Sequence, residues 1–129
     1  MNTVKVLVEG YARIGKAGEY LATPTTSLVE SNGVIFIFDP GTNEERLTTA
    51  LNNNNISVNK ISFIYLSHWH PDHFLNIRLF PKIPVYDGEI CWKDHKEITH
   101  KGKLPGVKGV EILKTPGHSP EHSSLLIKS

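Results

Sequence analysis

The sequence predicts a single mixed α/β domain built around a β-sheet. Short apolar or β-branched runs recur along the chain, one segment has the apolar spacing of a helix, and turn residues separate these segments. Strands on both sides of one helix favour a layered fold over a helix bundle or a pure β-sandwich. The length of 129 residues, 39% of them hydrophobic, favours one core rather than two.

The first third of the chain predicts a strand, a loop and a β-hairpin. The β-branched run at residues 4–8 predicts the strand, and residues 10–25, which contain three glycines, are predicted to be a loop. Strands at 27–30 and 34–38 flank a turn at 31–33, where Asn-Gly tolerates positive φ. The unbroken apolar character of 34–38 predicts burial on both faces of the sheet.

A helix and four further strands are predicted after this hairpin. Thr42 or Asn43 can cap the helix, two glutamates suit its positive end, and the asparagine run 52–55 ends it. Its apolar face consists of Leu47, Ala50 and Leu51. The remaining predicted strands are 61–66, 85–86, 110–113 and 125–127.

Composition excludes several classes of protein. Fourteen basic and thirteen acidic residues exclude a strongly basic nucleic-acid binder and an acidic disordered tail. A single cysteine, Cys91, excludes an internal disulfide framework and a cysteine-based zinc finger. No apolar run approaches the roughly 20 residues of a membrane helix, and the start lacks the features of a signal peptide. We therefore expect a cytoplasmic protein that does not enter a membrane.

Three histidines and an aspartate crowd the end of the strand predicted at 61–66. His68 and His70 are two positions apart, so in an extended chain they point the same way, about 6.5 Å apart. The proline after them can begin a helix whose first turn holds Asp72 and His73. The pattern predicts two adjacent metal sites, one with each pair of side chains. Surface histidines or a purely structural metal site are the alternatives.

A third imidazole, that of His118, follows another predicted strand. Gly117 before it leaves room for a close backbone approach, and a third ligand from a separate strand end is what a catalytic zinc site needs. His122 is predicted to support the site or the fold rather than to bind metal, and His95 and His100 to lie on a solvated face. The expected cofactor is zinc, as one or two ions, with iron or manganese as alternatives.

The motif His-x-His-x-Asp-His after an apolar strand, with Asp39-Pro40-Gly41 upstream and Pro-Gly-His downstream, resembles the metallo-β-lactamase superfamily. Residues 6–11 and 76–81 further resemble the subgroup called metallo-β-lactamase domain-containing protein 1. The resemblance covers the chain from about Val4 to Ile127. It implies an αββα sandwich with metals at the sheet edges, of which this chain forms mainly the N-terminal half, a mixed sheet with flanking helices.

The resemblance also assigns residues to the site. It implies that one metal is held by His68, His70 and His118. It implies a second metal held by Asp72 and His73, completed by two residues further along the family's sequence. Asp39 matches an acid that supports the metal-binding loops.

The chain departs from the family in length. Members usually form one domain of roughly 200 residues or more, and here no acidic residue follows Glu121 and no histidine follows His122. The bridging aspartate and the last histidine of the family pattern are therefore absent from residues 1–129. We expect one domain that is incomplete at its C-terminus. An apolar sheet face and an unpaired strand edge would remain, so we expect a homo-oligomer, a second chain that completes the fold, or a truncated product.

The leading functional hypothesis is a metal-dependent hydrolase. A zinc-activated water would attack an ester, thioester, lactam or phosphodiester. Asp72 would be the catalytic residue that orients this water and accepts its proton. The substrate would be a small molecule or a phosphodiester, and nucleic acid would enter only as a substrate. The alternatives are a mononuclear iron enzyme of the persulfide dioxygenase type and a non-catalytic or partner-completed half-domain that binds metal.

Overall fold

The computed structural model describes residues 1–129 and consists of a seven-stranded sheet, two separate β-hairpins and two helices. The strands are β1 (Thr3–Val8), β2 (Tyr11–Ile14), β3 (Tyr20–Thr23), β4 (Thr26–Ser31), β5 (Val34–Phe38), β6 (Phe63–Tyr65), β7 (Val85–Tyr86), β8 (Ile90–Lys93), β9 (Lys96–Thr99), β10 (Val110–Lys114) and β11 (Ser123–Ile127). The helices are α1 (Glu44–Asn53) and α2 (Pro71–Phe74), and short 3₁₀ turns occupy Val58–Lys60 and Leu75–Leu79. None of the helices has the length and apolar character needed to cross a membrane.

The large sheet has the strand order β1-β4-β5-β6-β7-β8-β9. Its central pairs, β5 with β6 and β6 with β7, are parallel, and the outer pairs are antiparallel. The other sheets are the hairpins β2–β3 and β10–β11. Parallel pairing aligns the carboxyl ends of β5 and β6, so the segments that follow these two strands leave the sheet at the same edge. The mixed α/β architecture predicted from the sequence is confirmed.

Each face of the sheet has its own apolar cluster. On the helix face, Leu47 and Leu51 of α1 pack against Ile37 and Ile64 of the sheet. On the opposite face, Phe36 and Phe63 stack with their ring centroids 4.5 Å apart. The β10–β11 hairpin covers this second cluster with partly buried side chains, those of Val110, Ile112, Leu125 and Ile127. Strands β5 and β6 therefore have side chains in an apolar cluster on each face of the sheet, as the apolar run at 34–38 predicts.

The local turn and cap predictions are confirmed. Asn32 and Gly33 have φ angles of 52° and 80°, the positive values that a tight hairpin turn requires. Helix α1 begins after Asn43, whose side-chain oxygen accepts a hydrogen bond of 2.9 Å from the backbone N–H of Arg46. The asparagine run ends the helix, with Asn54 at its C-terminus.

The prediction that residues 10–25 form a loop is wrong. They fold into the β2–β3 hairpin, in which Ala12 pairs with Ala22 and Ile14 pairs with Tyr20. The glycine content of the whole segment indicates a loop, but Gly15 and Gly18 both belong to the turn between two four-residue strands.

Three further strand assignments also differ. The strand predicted at 61–66 is shorter, since a 3₁₀ turn ends at Lys60, Ile61 caps it, and only Phe63–Tyr65 pairs in the sheet. Strands β8 and β9 were not predicted. All four residues of β9 are exposed, so no alternation of apolar and polar residues marks that strand.

Candidate metal centre

Three imidazole rings meet at the edge of the sheet where β6 ends. His68 and His70 lie between β6 and α2, and His118 lies in the connection from β10 to β11. His70 Nδ1 is 3.1 Å from His68 Nε2 and 3.0 Å from His118 Nε2, and the three nitrogens all lie within 4.8 Å of one another. The chain bends at Ser67 and His68 rather than continuing as a strand, and this bend brings the first two rings together.

Hydrogen bonds alone do not satisfy this cluster. The Nδ1 atom of a neutral imidazole has a single in-plane lone pair or a single hydrogen, yet His70 Nδ1 faces two other ring nitrogens. A cation between the three nitrogens would accept all three lone pairs. With metal–nitrogen bonds of about 2.0–2.1 Å, the nitrogens of a tetrahedral site stand roughly 3.3 Å apart, close to the two separations observed. The donor set therefore fits a divalent transition metal.

Asp39 and Ser67 orient the buried ring of His68. Ser67 Oγ lies 2.6 Å from Asp39 Oδ2 and 2.9 Å from His68 Nδ1. Because the carboxylate can only accept, the hydroxyl donates to Asp39 and accepts from the Nδ1–H of His68. This chain of bonds places the hydrogen of His68 on Nδ1 and leaves the lone pair of Nε2 facing the other two imidazoles.

The same carboxylate holds His73. His73 Nδ1 donates to Asp39 Oδ2 over 2.8 Å, and its Nε2 lies 3.7 Å from Asp72 Oδ2. The Nε2 lone pair and the Asp72 carboxylate therefore form a second pair of candidate ligands beside the three histidines. The rings of His68 and His73 are close, with centroids 4.2 Å apart, but the group of three converging nitrogens does not include Asp72 or His73.

The surroundings of His68 and His73 shift the pKa values of these two residues in opposite directions. Burial, followed by the charges of the neighbouring histidines, lowers the pKa of His68 to about 4. At neutral pH its ring is uncharged and its lone pair is available to a metal. Burial also lowers the pKa of His73, but the hydrogen bond and charge of Asp39, with the charge of Asp72, outweigh it and raise the pKa overall.

The remaining histidines lie as follows. His122 Nδ1 is 2.9 Å from Thr115 Oγ1, and its ring centroid is 4.8 Å from that of His68, so it borders the cluster without joining it. His95 is exposed in the turn between β8 and β9, and His100 contacts the backbone oxygen of Asp87. No other strand approaches Gly117, because a side chain there would meet nothing within 4 Å, and its φ of 155° is the feature that favours glycine.

Three supporting residues were not predicted from the sequence. Ser67 carries the contact between Asp39 and His68 described above. The indole nitrogen of Trp69 donates to Asp87 Oδ2 over 2.9 Å, which anchors the segment between the first two histidines. The buried amide of Asn76 donates to the backbone oxygens of Pro40 and Asn43. No local pattern marks these roles, since each partner is distant in the sequence.

A cleft of about 680 Å³ opens beside the cluster. One wall consists of His70, Asp72, His73 and His118, and the other is the β2–β3 hairpin. Clefts of this size accommodate small organic molecules. The imidazoles of His70 and His118 therefore lie where a bound molecule would reach them.

Comparison with known proteins now assigns the chain to a family. The model of the metallo-beta-lactamase superfamily matches residues 23–107, more than half of the chain. The chain belongs to this superfamily. The match includes the segment from His68 to His73, whereas His118 lies beyond it.

Two relatives and one solved structure illustrate the similarity. The metallo-beta-lactamase domain-containing protein 1 of Xenopus laevis is 25% identical over 133 aligned positions, which cover 98% of this chain and 57% of the relative. The N-acyl homoserine lactonase of Bacillus cereus is 32% identical over 103 positions, which cover 68% of this chain and 41% of the lactonase. A Thermotoga maritima protein described as a metallo-beta-lactamase superposes with a TM-score of 0.72 at 19% identity, covering 98% of this chain and 72% of that structure.

These comparisons confirm the predicted superfamily, the resemblance to its domain-containing protein 1 subgroup and the fold. The metallo-beta-lactamase fold here corresponds to about the N-terminal part of the superposed structure. The chain spans 57% of the Xenopus relative and 41% of the lactonase.

Proposed function

We propose that this chain carries the metal centre of a metal-dependent hydrolase, in which His68, His70 and His118 bind one divalent ion. The observation that carries the proposal is the convergence of three imidazole nitrogens, two of their separations being 3.0 and 3.1 Å, at the edge of an open cleft. Membership of the metallo-beta-lactamase superfamily and the similarity to a lactonase support hydrolysis as the reaction. Zinc is the proposed metal, because neutral imidazoles suit it.

Two carboxylates have different roles in the proposal. Asp39 is buried and fully engaged with Ser67 and His73, so it positions ligands. The side chain of Asp72 is 33% exposed and borders the cleft, so it can accept a proton from a water molecule there. A divalent ion, when bound, lowers the pKa of a bound water toward about 7 and polarises the group to be cleaved. Asp72 and His73 would complete a second, weaker site.

Substitution of His118 tests the proposal, because this residue is exposed and its loss leaves the core intact. We expect His118→Ala to lower the bound metal per chain, measured by equilibrium dialysis and elemental analysis, and to abolish hydrolysis of ester and phosphodiester probes. His95→Ala, an exposed histidine in the β8–β9 turn, is the matched control and should change neither. Equal metal binding in the two variants would exclude the three-histidine site.

The same samples separate the alternatives. Zinc that restores hydrolysis supports the proposal. Iron as the bound metal, with oxygen uptake on a glutathione persulfide, would instead identify a dioxygenase. Stoichiometric metal binding without turnover of any probe would indicate a half-domain that needs a partner chain or further sequence for activity.

A further inference from the structure

The cleft beside the three histidines has an unusually exposed apolar wall. In the β2–β3 hairpin, Ala12 pairs with Ala22 and Ile14 pairs with Tyr20. Because side chains alternate along a strand, these four residues share one face of the hairpin. Ala12, Ala22 and Tyr20 line the cleft, and Ile14 extends the same face. Tyr20 and Ile14 are 67% and 68% exposed, although exposing large apolar side chains has no structural benefit.

The arginine of strand β2 lies on the other face of the hairpin. Arg13 lies between Ala12 and Ile14 in β2, so its side chain projects away from the apolar face. Its guanidinium carbon lies 4.5 Å from the centre of the Tyr11 ring, and Tyr11 borders the cleft while Arg13 does not. No lysine or arginine lines the cleft. Protein sites that bind phosphate groups commonly use such cations, above all arginine, to neutralise the oxygens. The wall therefore suits an uncharged apolar group better than a phosphodiester.

We propose that this cleft binds carboxylic esters with an uncharged, apolar acyl group, which lies along the Ala12–Ala22–Tyr20 face with its carbonyl directed at the three histidines. Tyr20 is then a specificity-determining residue. The inference rests on the proposed hydrolase function, which it narrows to one substrate class. In the reaction, water adds to the ester carbonyl and the acyl–oxygen bond breaks. The products are a carboxylate, a proton and an alcohol, and no other reactant is needed.

Binding can be measured without turnover. Amide chemical shifts of the zinc-loaded, ¹⁵N-labelled chain would be followed while 2-decanone, an uncharged and non-hydrolysable ketone, is added. Dibutyl phosphate, a charged diester, is the comparison ligand. We expect saturable shifts at Ala12 and Ala22 with the ketone and at least tenfold weaker binding of the phosphate. Tyr20→Ala should weaken ketone binding roughly fivefold through loss of apolar contact area. The control Ile98→Ala, which removes an exposed apolar side chain of β9 outside the cleft, should change it less than twofold.

Turnover provides a second and separate measurement. For p-nitrophenyl esters from acetate to octanoate, half-burial of each added CH₂ would raise kcat/KM by about twofold. Tyr20→Ala should flatten this dependence, so that the rates on the acetate and octanoate esters differ less than they do in the wild type. Bis(p-nitrophenyl) phosphate should be the poorest substrate.

The outcomes separate this inference from the hydrolase proposal. If the ketone binds at the hairpin but nothing is hydrolysed, the assignment of the cleft holds and hydrolysis by this chain alone is excluded. If esters are hydrolysed without dependence on acyl length, or if the phosphodiester is preferred, the cleft assignment is overturned and the hydrolase function remains. Failure of the ketone to bind at Ala12 and Ala22 also overturns it.

Discussion

Replacing the buried carboxylate of Asp39 by an amide should weaken both the fold and metal binding. Asp39 Oδ1 accepts from the Ser67 N–H over 2.8 Å, and an asparagine oxygen would keep that bond. Oδ2 accepts from Ser67 Oγ over 2.6 Å and from His73 Nδ1 over 2.8 Å, and an NH₂ group in its place cannot accept either bond. Hydrogen bonds to charged groups contribute roughly 1.5–3 kcal/mol each. With partial relaxation, we expect Asp39→Asn to lower the free energy of unfolding by about 3 kcal/mol.

The effect on metal binding distinguishes Asp39 from an ordinary buried acid. Without its carboxylate, the hydrogen of His68 is no longer held on Nδ1 and His73 loses its orienting partner, and changes of this kind weaken metal binding roughly 10–100-fold. Asp87→Asn is the matched control. Asp87 is also buried, but its Oδ1 accepts from the N–H groups of Glu89 and Ile90 and its Oδ2 from Trp69. This change should cost about 2 kcal/mol and weaken metal binding much less than Asp39→Asn does, because the Trp69 contact holds the backbone between His68 and His70 but orients neither ring.

Urea unfolding of the metal-free variants and zinc titration by competition with a chromogenic chelator measure the two effects. The reasoning is refuted if Asp39→Asn binds zinc within about twofold of the wild-type affinity, or if Asp87→Asn weakens binding as much. Equal losses of stability in the two variants would not matter, because the prediction concerns their difference in affinity.

Three further predictions concern stability. The pKa of His68 is about 4 in the folded state, below the usual 6.5, so the unfolded chain takes up a proton at higher pH than the folded chain does. The metal-free protein should therefore lose stability as the pH falls from 6.5 to 4. In urea titrations this loss should be steeper than in His68→Asn. Burial raises the pKa of Tyr65 to about 12, so stability should fall as the pH rises from 10 to 12, and Tyr65→Phe should remove that fall. The substitution should itself cost about 1–3 kcal/mol, because Ser123 Oγ loses its 2.7 Å hydrogen-bond partner. Asn43→Ala removes the helix cap on the Arg46 N–H and should lower the thermal midpoint by an amount equivalent to about 1 kcal/mol, without changing zinc affinity.

The features predicted correctly from the sequence are those determined by residues that are close together in the sequence. Residues 34–38 are continuously apolar, and the strand they form lies between β4 and β6 with Phe36 and Ile37 buried. His68, His70 and His73 fall within six positions, so a bend and one helical turn are enough to bring them together. His118 follows a strand end, and the structure places its Nε2 3.0 Å from His70 Nδ1. Its assignment as a metal ligand, like those of the other histidines, stays a proposal.

The parts that were missed depend on contacts between distant segments. Ser67 is adjacent to His68 in the sequence, but its role comes from Asp39. The two residues meet because Phe38 pairs with Tyr65 in parallel register, which sets the residues after each strand side by side. The β2–β3 hairpin was missed for another reason. Strand β2 is exposed, β3 is at most half-buried and neither contributes a buried residue to the core, so the apolar periodicity used to predict buried strands is weak there.

The backbone at Asp39 has a positive φ angle, which residues with a side chain seldom adopt. Four non-glycine residues have positive φ, and Asp39, at 52°, is the buried one among them. This conformation costs roughly 1–2 kcal/mol, and the exposed asparagines and aspartate that share it lie in surface turns. At Asp39 it is fixed from two sides. The Asp39 N–H donates to the oxygen of Tyr65 in β6, and the N–H of Gly41 donates to the oxygen of His73 in α2.

Strain of this kind persists where neighbouring structure over-determines it, commonly at functional sites. Here the strained turn directs one carboxylate at both Ser67 and His73, and thereby sets the free lone pairs of two imidazoles. A glycine at this position would relieve the strain but would remove the carboxylate. We therefore interpret the turn as a feature retained for the orientation of His68 and His73 rather than for stability, and the comparison of Asp39→Asn with Asp87→Asn tests that interpretation directly.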